Sequence, residues 1–236
     1  MIIWASDGGG LVAHCNVEIE VLDENDNAPD VIITSLSSPI LEDILPGAVI
    51  ALIKVHNRDS GLNGEVTCYL REIVPFQVIS SSDNYFKLLV DGPLDREKTP
   101  VYNLTITATD QGTPPLSTDK TNSVPISDIN DNLPAFEKPS YVAYIPENNP
   151  SGTSIFKAFD PDLDRNAQIT YSMLNSNVKN LPLSFYVSIN SETGTLYAQR
   201  SFDYEQLRDF QLQVQAQDGG SPSLNNSAMI KVCVLD

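Results

Sequence analysis

The chain has 236 residues, 41% of them hydrophobic, with 31 acidic against 14 basic side chains and a formal net charge of −17. This is enough apolar material for the packed cores of two domains and excludes global disorder. The charge also excludes nucleic acid as a partner, because phosphate binding needs clustered Lys and Arg, and it suits divalent cations, whose hard oxygen ligands are mostly carboxylates.

In chain order, residues 1–27 open with the turn 5-ASDGGG-10 and continue into 16-NVEIEVLD-23, whose alternating apolar and polar residues predict a half-buried strand. The acidic stretch 23-DENDNAPDV-31 follows, and a near copy, 128-DINDNLPAF-136, stands 105 residues further on. Turns are marked at 46-PG-47, 112-GTPP-115 and 219-GGSP-222. Alternation predicts strands over 102-YNLTITATD-110 and 210-FQLQVQAQD-218, and Pro125 in 123-SVPIS-127 is expected at an edge or a bulge. No segment shows a 3.6-residue period of helical length. Asp236 stands 108 residues after Asp128, where a third acidic stretch would open, so the chain is expected to be a fragment of something longer.

Between these stretches the same landmarks recur in order. The run 41-LEDILPGAVI-50 answers to 146-PENNPSGTSI-155, 57-NRDSGLNGEVTCYL-70 to 160-DPDLDRNAQITYSM-173, and 94-LDREKTPVYNLTITATDQGTPPLS-117 to 202-FDYEQLRDFQLQVQAQDGGSPSLN-225. Gly47 precedes Asp59 by 12 residues and Gly152 precedes Asp162 by 10, which predicts a strand shortened by one pleat in the second copy. The chain therefore divides into a C-terminal remnant with its linker (1–27), a complete repeat (28–132) and a second repeat truncated at its C-terminal linker (133–236). Short strands punctuated by turns, in units of about a hundred residues, predict an all-β fold of antiparallel Greek-key sandwiches.

Cys15, Cys68 and Cys233 are an odd count, so at least one thiol has no partner in the chain, and each lies in an apolar or alternating run that predicts a buried strand cysteine. His14 and His56 stand in no metal-ligand spacing, and no nucleophile triad, phosphate-cradling glycine motif or CxxC is present. Paired carboxylates such as Asp160 and Asp162 suit glycoside hydrolysis in principle. Their repetition at each boundary argues against a carbohydrate-active enzyme. The sequons 103-NLT-105 and 225-NNS-227 make Asn103 and Asn225 candidate glycosylation sites, whereas 149-NPS-151 is blocked by its proline. No apolar run approaches the roughly 18 residues of a membrane span, and 1-MIIWASDGGG-10 lacks the build of a secretion signal.

DxNDN followed by proline, with LDRE, DxD and A-x-D-x-G at these spacings, closely resembles the linker signature of cadherin ectodomains, and the resemblance covers essentially the whole chain. Stretches such as 34-TSLSSPILED-43, 59-DSGLNGEVTC-68, 145-IPENNPSGTSIF-156 and 218-DGGSPSL-224 look like clustered protocadherins of the gamma group. The resemblance implies seven-stranded immunoglobulin-like sandwiches, namely the end of a third, a whole fourth and most of a fifth ectodomain repeat, joined by Ca2+-binding linkers. It implies that Glu42, Asp95, Glu97, Asp128, Ile129, Asn130, Asp131, Asn132, Asp160, Asp162, Asn166 and Asp218 bind calcium around residues 128–132, with Ile129, Asn132 and Asn166 acting through backbone oxygens. Eight carboxylates in that set would repel one another without metal.

The same resemblance makes Asp23, Asn25, Asp26, Asn27, Asn57, Asp59, Asn63 and Asp110 a partial junction. Asn57 stands there where the family has Asp, which implies lower affinity. Glu147, Asp203 and Glu205 become a half-site. Calcium-dependent homophilic cell–cell adhesion is implied, with a same-protein partner on the apposed cell, cis assembly with protocadherins, and a single-pass parent displayed outside the plasma membrane. An extracellular spacer without recognition is the alternative.

Overall fold

A computed structural model describes residues 1–148 and 158–236. By contacts these form two compact units. The first comprises Met1–Ile40, Ile44–Leu94 and Val101–Pro125; the second comprises Leu41–Asp43, Asp95–Pro100 and Ile126–Asp236. The fold is all-β, and the only helical pieces among the described residues are single 3-10 turns at Gly61–Gly64 and Leu183–Phe185.

In the first unit, β1 (Ile2–Ser6) and β2 (Val12–Asn16) form an isolated antiparallel hairpin. The strand expected over 16–23 ends at Asn16. Ile2↔Asn16 is the last pair and only the Met1–Val17 backbone contact follows, so the alternating residues beyond have no neighbouring strand to bond. The repeat proper contains β3 (Asp30–Leu36), β4 (Ile40–Leu41), β5 (Val49–His56), β6 (Val66–Leu70), β7 (Phe76–Ser82), β8 (Tyr85–Val90), β9 (Val101–Asp110) and β10 (Ser117–Ser127). They pair as two sheets, β3-β5-β8-β7 and β4-β10-β9-β6. β3 and β4 belong to one N-terminal segment that leaves one sheet near Pro39 and joins the other, so the sandwich is seven-stranded with a split first strand.

The core follows from period-two patterning. β5 buries Ile53 and Val55 between exposed Leu52, Lys54 and His56. Leu104, Ile106 and Ala108 of β9 are equally enclosed, each large side chain contributing about 1.5–3 kcal/mol. The half-buried expectation for β9 needs correction, because Thr105 and Thr107 on its other face are buried too. They sit under a polar ladder in which Thr105 meets Thr121, Thr107 donates to Asp119 at 2.7 Å and Arg71 pairs with Asp119.

Pro125 lies neither at an edge nor at a bulge. β10 has neighbours on both sides, and Pro125 opposes Val101 at the end of the ladder. Because Ile126 donates to Pro100 O, the alternation of an antiparallel ladder turns position 125 away from β9, so the missing N–H breaks no bond there.

The second unit contains β11 (Ala135–Phe136), β12 (Ser140–Pro146), β13 (Ala158–Phe159), β14 (Thr170–Met173), β15 (Asn177–Val178), β16 (Leu181–Pro182), β17 (Val187–Ile189), β18 (Leu196–Ala198), β19 (Asp209–Gln217) and β20 (Asn225–Leu235). The main sheet is β12-β20-β19-β14, with β12 parallel to β20. β19 alternates as its sequence predicts, with Phe210, Leu212, Val214 and Ala216 turned into a core that includes Val187, Leu196, Ile230 and Val232. The shortened strand expected near Gly152 lies outside the described residues.

The cysteine expectation is also corrected. All three are free thiols, Cys15 exposed and Cys68 and Cys233 half-buried: the β1–β2 hairpin leaves both its faces exposed, Cys233 stands on the outward side of β20, and Cys68, opposite buried Ala108, faces inward on the edge strand β6. Desolvation pushes the Cys68 thiol up to about 11.

Candidate metal centre around residues 128–132

Every residue expected at this junction falls in the second unit, because the segments carrying Glu42 and Asp95–Glu97 group with it. Glu42 follows β4 directly and is buried, with both oxygens committed: Arg96 N–H donates to Oε2 at 2.8 Å and Ile129 N–H to Oε1 at 2.9 Å. This one carboxylate thus ties the LDRE turn to the linker. Asp128 is tied to the loop after β13, its Oδ2 accepting from Leu163 N–H at 3.0 Å and from the Asn166 amide at 2.9 Å. Asn132 donates to Asp131 and to Asp162 Oδ1, each at 2.7 Å.

Two groups of carboxylates converge closely enough to share a cation: Glu42, Glu97 and Asp131, and Glu97, Asp128 and Asp162. Asp160 and Asp218 are buried beside them, and Asp160 Oδ1 accepts from Asp162 N–H at 3.0 Å. Asp95 lies outside both groups and faces Lys98 at 2.6 Å, whose hydrogen bond holds its carboxyl below the usual range. Burial above all, then like charge, pushes other members up. Glu97 is raised by desolvation and by Glu42, with Arg96 opposing. Asp131 is raised by desolvation, then by Glu42 and Asp162. Asp160 is raised by desolvation and by Asp162 and Asp218.

The fit to an oxygen-coordinated cation can be tested on unmatched atoms, since buried polar groups otherwise find partners. Asp160 Oδ2 and Asn130 Oδ1 are buried with no donor. Asp128 Oδ1 and Glu97 Oε1 likewise receive no aligned hydrogen bond, although Arg96 touches both as a charge, with Nε 2.6 Å from Asp128. A cluster of unmatched oxygens, charged and neutral together, is the donor set of Ca2+. The residues fit. Asn130 is seated by its amide, which donates to Asp218 and to Pro222 O at 2.7 Å, and by Gly220, where any Cβ would overlap the Asn130 side chain. This close approach explains the glycine of A-x-D-x-G, and Gly112 against Asn25 repeats it.

Arg96 is the functional residue that the sequence reading passed over. Its guanidinium is nearly enclosed, touches Asp128 and Glu97, and donates to Pro161 O at 3.0 Å. The available signal was a lone cation between two acids in 94-LDRE-97, against Tyr204 in 202-FDYE-205.

At the first junction Asn25 donates to Asp110 and Pro114 O, Asn27 to Asp26 and Asp59, and Asn63 to Asp23, repeating the second junction bond for bond. Asn57 departs from that pattern. In the half-site, Glu147 accepts from Tyr204 N–H at 3.3 Å as Glu42 does from Arg96, Asp203 faces Gln206, and Glu205 is exposed. Asn103 on β9 and Asn225 at the start of β20 are both exposed.

Tandem β-sandwiches with carboxylate-rich linkers define the class, and comparison bears it out. The cadherin-domain family model matches residues 37–127 and 141–235, and the chain belongs to the cadherin family. Within that family it is similar to the human protein Protocadherin gamma-B5, 53% identical over the whole chain, which spans 26% of that relative's length. Among solved structures it is similar to the protocadherin gammaB7 EC3-6 cis-dimer structure (50% identity, TM-score 0.93, all of this chain and 56% of that one). Protocadherin Gamma B2 extracellular cadherin domains 3-6 align at 48% identity and TM-score 0.88, over all of this chain and 56% of that one. Cadherins are adhesion proteins; the chain is not an enzyme, and the carbohydrate-active alternative falls. No helix among the described residues is long and apolar enough to cross a membrane.

Proposed function

We propose that this chain is part of the extracellular, cell-surface portion of a protocadherin-like protein, and that calcium held at residues 128–132 makes consecutive repeats rigid enough for calcium-dependent homophilic adhesion. Glu42, Glu97, Asp128, Asp131, Asp160, Asp162 and Asn130 would hold the ions, with Asp218 positioning Asn130 and Asp95 recruited from Lys98. Bound calcium supplies positive charge that offsets the repulsion among these carboxylates. The residues themselves fix the LDRE turn, the linker and the DxD loop to one another through Glu42, Asp128 and Asn132. The observation that carries this reading is the set of buried oxygens without donors.

The similarity to gamma protocadherins supports a same-protein partner on an apposed cell, and that of the gammaB7 cis dimer supports cis assembly. The strands' outward residues would then carry specificity, and the exposed Asn103 and Asn225 would carry glycans. Calorimetric titration of calcium into the metal-free chain should show tight binding with a rise in melting temperature, because a ligand that binds only the folded state stabilises it. An unchanged melt and no heat would refute the metal reading. Beads coated with the parent ectodomain should aggregate in calcium and disperse in chelator, whereas a pure spacer leaves them dispersed in both.

A further inference from the structure

Among the candidate ligands that follow each linker, the two junctions differ at one side-chain atom. Asp160 and Asn57 open the two copies of the DxD-type loop, and each turns its Oδ1 onto the N–H two residues on, Asp162 at 3.0 Å and Asp59 at 2.9 Å. That shared bond fixes which way each side-chain plane faces, so the second atoms occupy equivalent places. In Asp160 this atom is Oδ2, buried and without a donor. In Asn57 it is Nδ2, which donates to Asn63 O at 3.0 Å. Asn63 corresponds to Asn166, whose backbone oxygen the resemblance makes a calcium ligand. An acceptor aimed at the ion's position in one copy is thus a donor in the other, and it also engages an oxygen the ion would need. Turning the amide over would aim its oxygen at the ion but face its N–H2 against the Asp59 N–H, two donors in opposition.

We propose that the Asn57 position takes no divalent cation at calcium concentrations that fill the Asp160 position, and that the Asn57–Asn63 hydrogen bond closes the loop in its stead. The first junction otherwise keeps two buried oxygens without donors, Asn25 Oδ1 and Asp110 Oδ2. Its remaining ligand shell is built, and one substitution should restore the site.

The inference rests on the calcium reading of the 128–132 junction, and the test separates the two. Bound calcium is counted by equilibrium dialysis at a fixed free concentration that saturates the unmodified chain, for that chain and for Asn57→Asp and Asp160→Asn. The proposal expects Asn57→Asp to bind one ion more than the unmodified chain and Asp160→Asn to bind one fewer. If Asp160→Asn loses an ion while Asn57→Asp gains none, the Asn57 position was already filled and the proposal is wrong. If the unmodified chain binds no calcium, the reading of the complete junction fails instead. The unmodified chain supplies a check that needs no variant. The side-chain amide resonances of Asn57 should hold their positions through a calcium titration while those of Asn130 move, and movement of both overturns the proposal.

Discussion

Replacing Arg96 by Gln removes the one cation among the described residues that touches the carboxylate cluster's core and keeps much of the side chain's length. The guanidinium side chain is 8% exposed, and its partners Glu97 and Asp128 are 18% and 12% exposed, so solvent screens these contacts little. Removing one member of such a buried group leaves the others uncompensated, which costs about 3–5 kcal/mol. The loss of the bond to Pro161 O is included in that figure. With a urea slope of about 1–3 kcal/mol/M, the unfolding midpoint in chelator should fall by roughly 1–5 M. In saturating calcium the cation supplies the positive charge that Arg96 otherwise provides, so the same substitution should cost much less. Calcium should also bind the variant more tightly, since no guanidinium contests Asp128 and Glu97. Urea unfolding followed by tryptophan-independent far-UV dichroism, in chelator and in calcium, reads all of this. Equal losses in both conditions would show that Arg96 merely packs, and the counter-charge argument would be refuted.

Other consequences can be measured singly. Gly220→Ala drives a Cβ into Asn130 and displaces its bonds to Asp218 and Pro222, so calcium affinity at the 128–132 junction should fall about 10-fold or more in a titration, as when a ligand loses its supporting shell. A carboxyl whose folded pKa is raised contributes stability below its unfolded pKa that is lost as pH rises through the folded one. Asp131 is raised from 3.8, so in chelator Asp131→Asn should have a higher urea midpoint than the unmodified chain at neutral pH, the gap closing as pH falls through the raised value toward 3.8. In calcium the order should reverse, and the same order in both media would discredit the cluster. With its thiol held up to about 11, Cys68 should be alkylated far more slowly at pH 8 than exposed Cys15, as peptide mass spectrometry would show.

The fold was legible because sandwich strands write their inward face into every second residue, as β19 does from Phe210 to Ala216. The linker motif was legible for a related reason: oxygen-coordinated cations demand carboxylates, and few other pressures repeat a D-x-N-D-N run at two domain ends. What failed to show depended on neighbours that alternation cannot report. The run 16–23 alternates, yet without a strand beside it no ladder forms. Thr105 and Thr107 read as a solvent face until Thr121 and Asp119 cover them.

The substitution of Asn57 for the usual Asp was visible in the sequence, but composition credited it only with one charge fewer. Its consequence lies in direction. Once Oδ1 is taken by the Asp59 N–H, the remaining atom must be a donor, and a donor aimed at a cation's position opposes binding. Charge counting therefore predicts a weakened site and geometry a closed one. The two predictions diverge most at high calcium, where a weak site fills and a site whose ligand has become a donor does not.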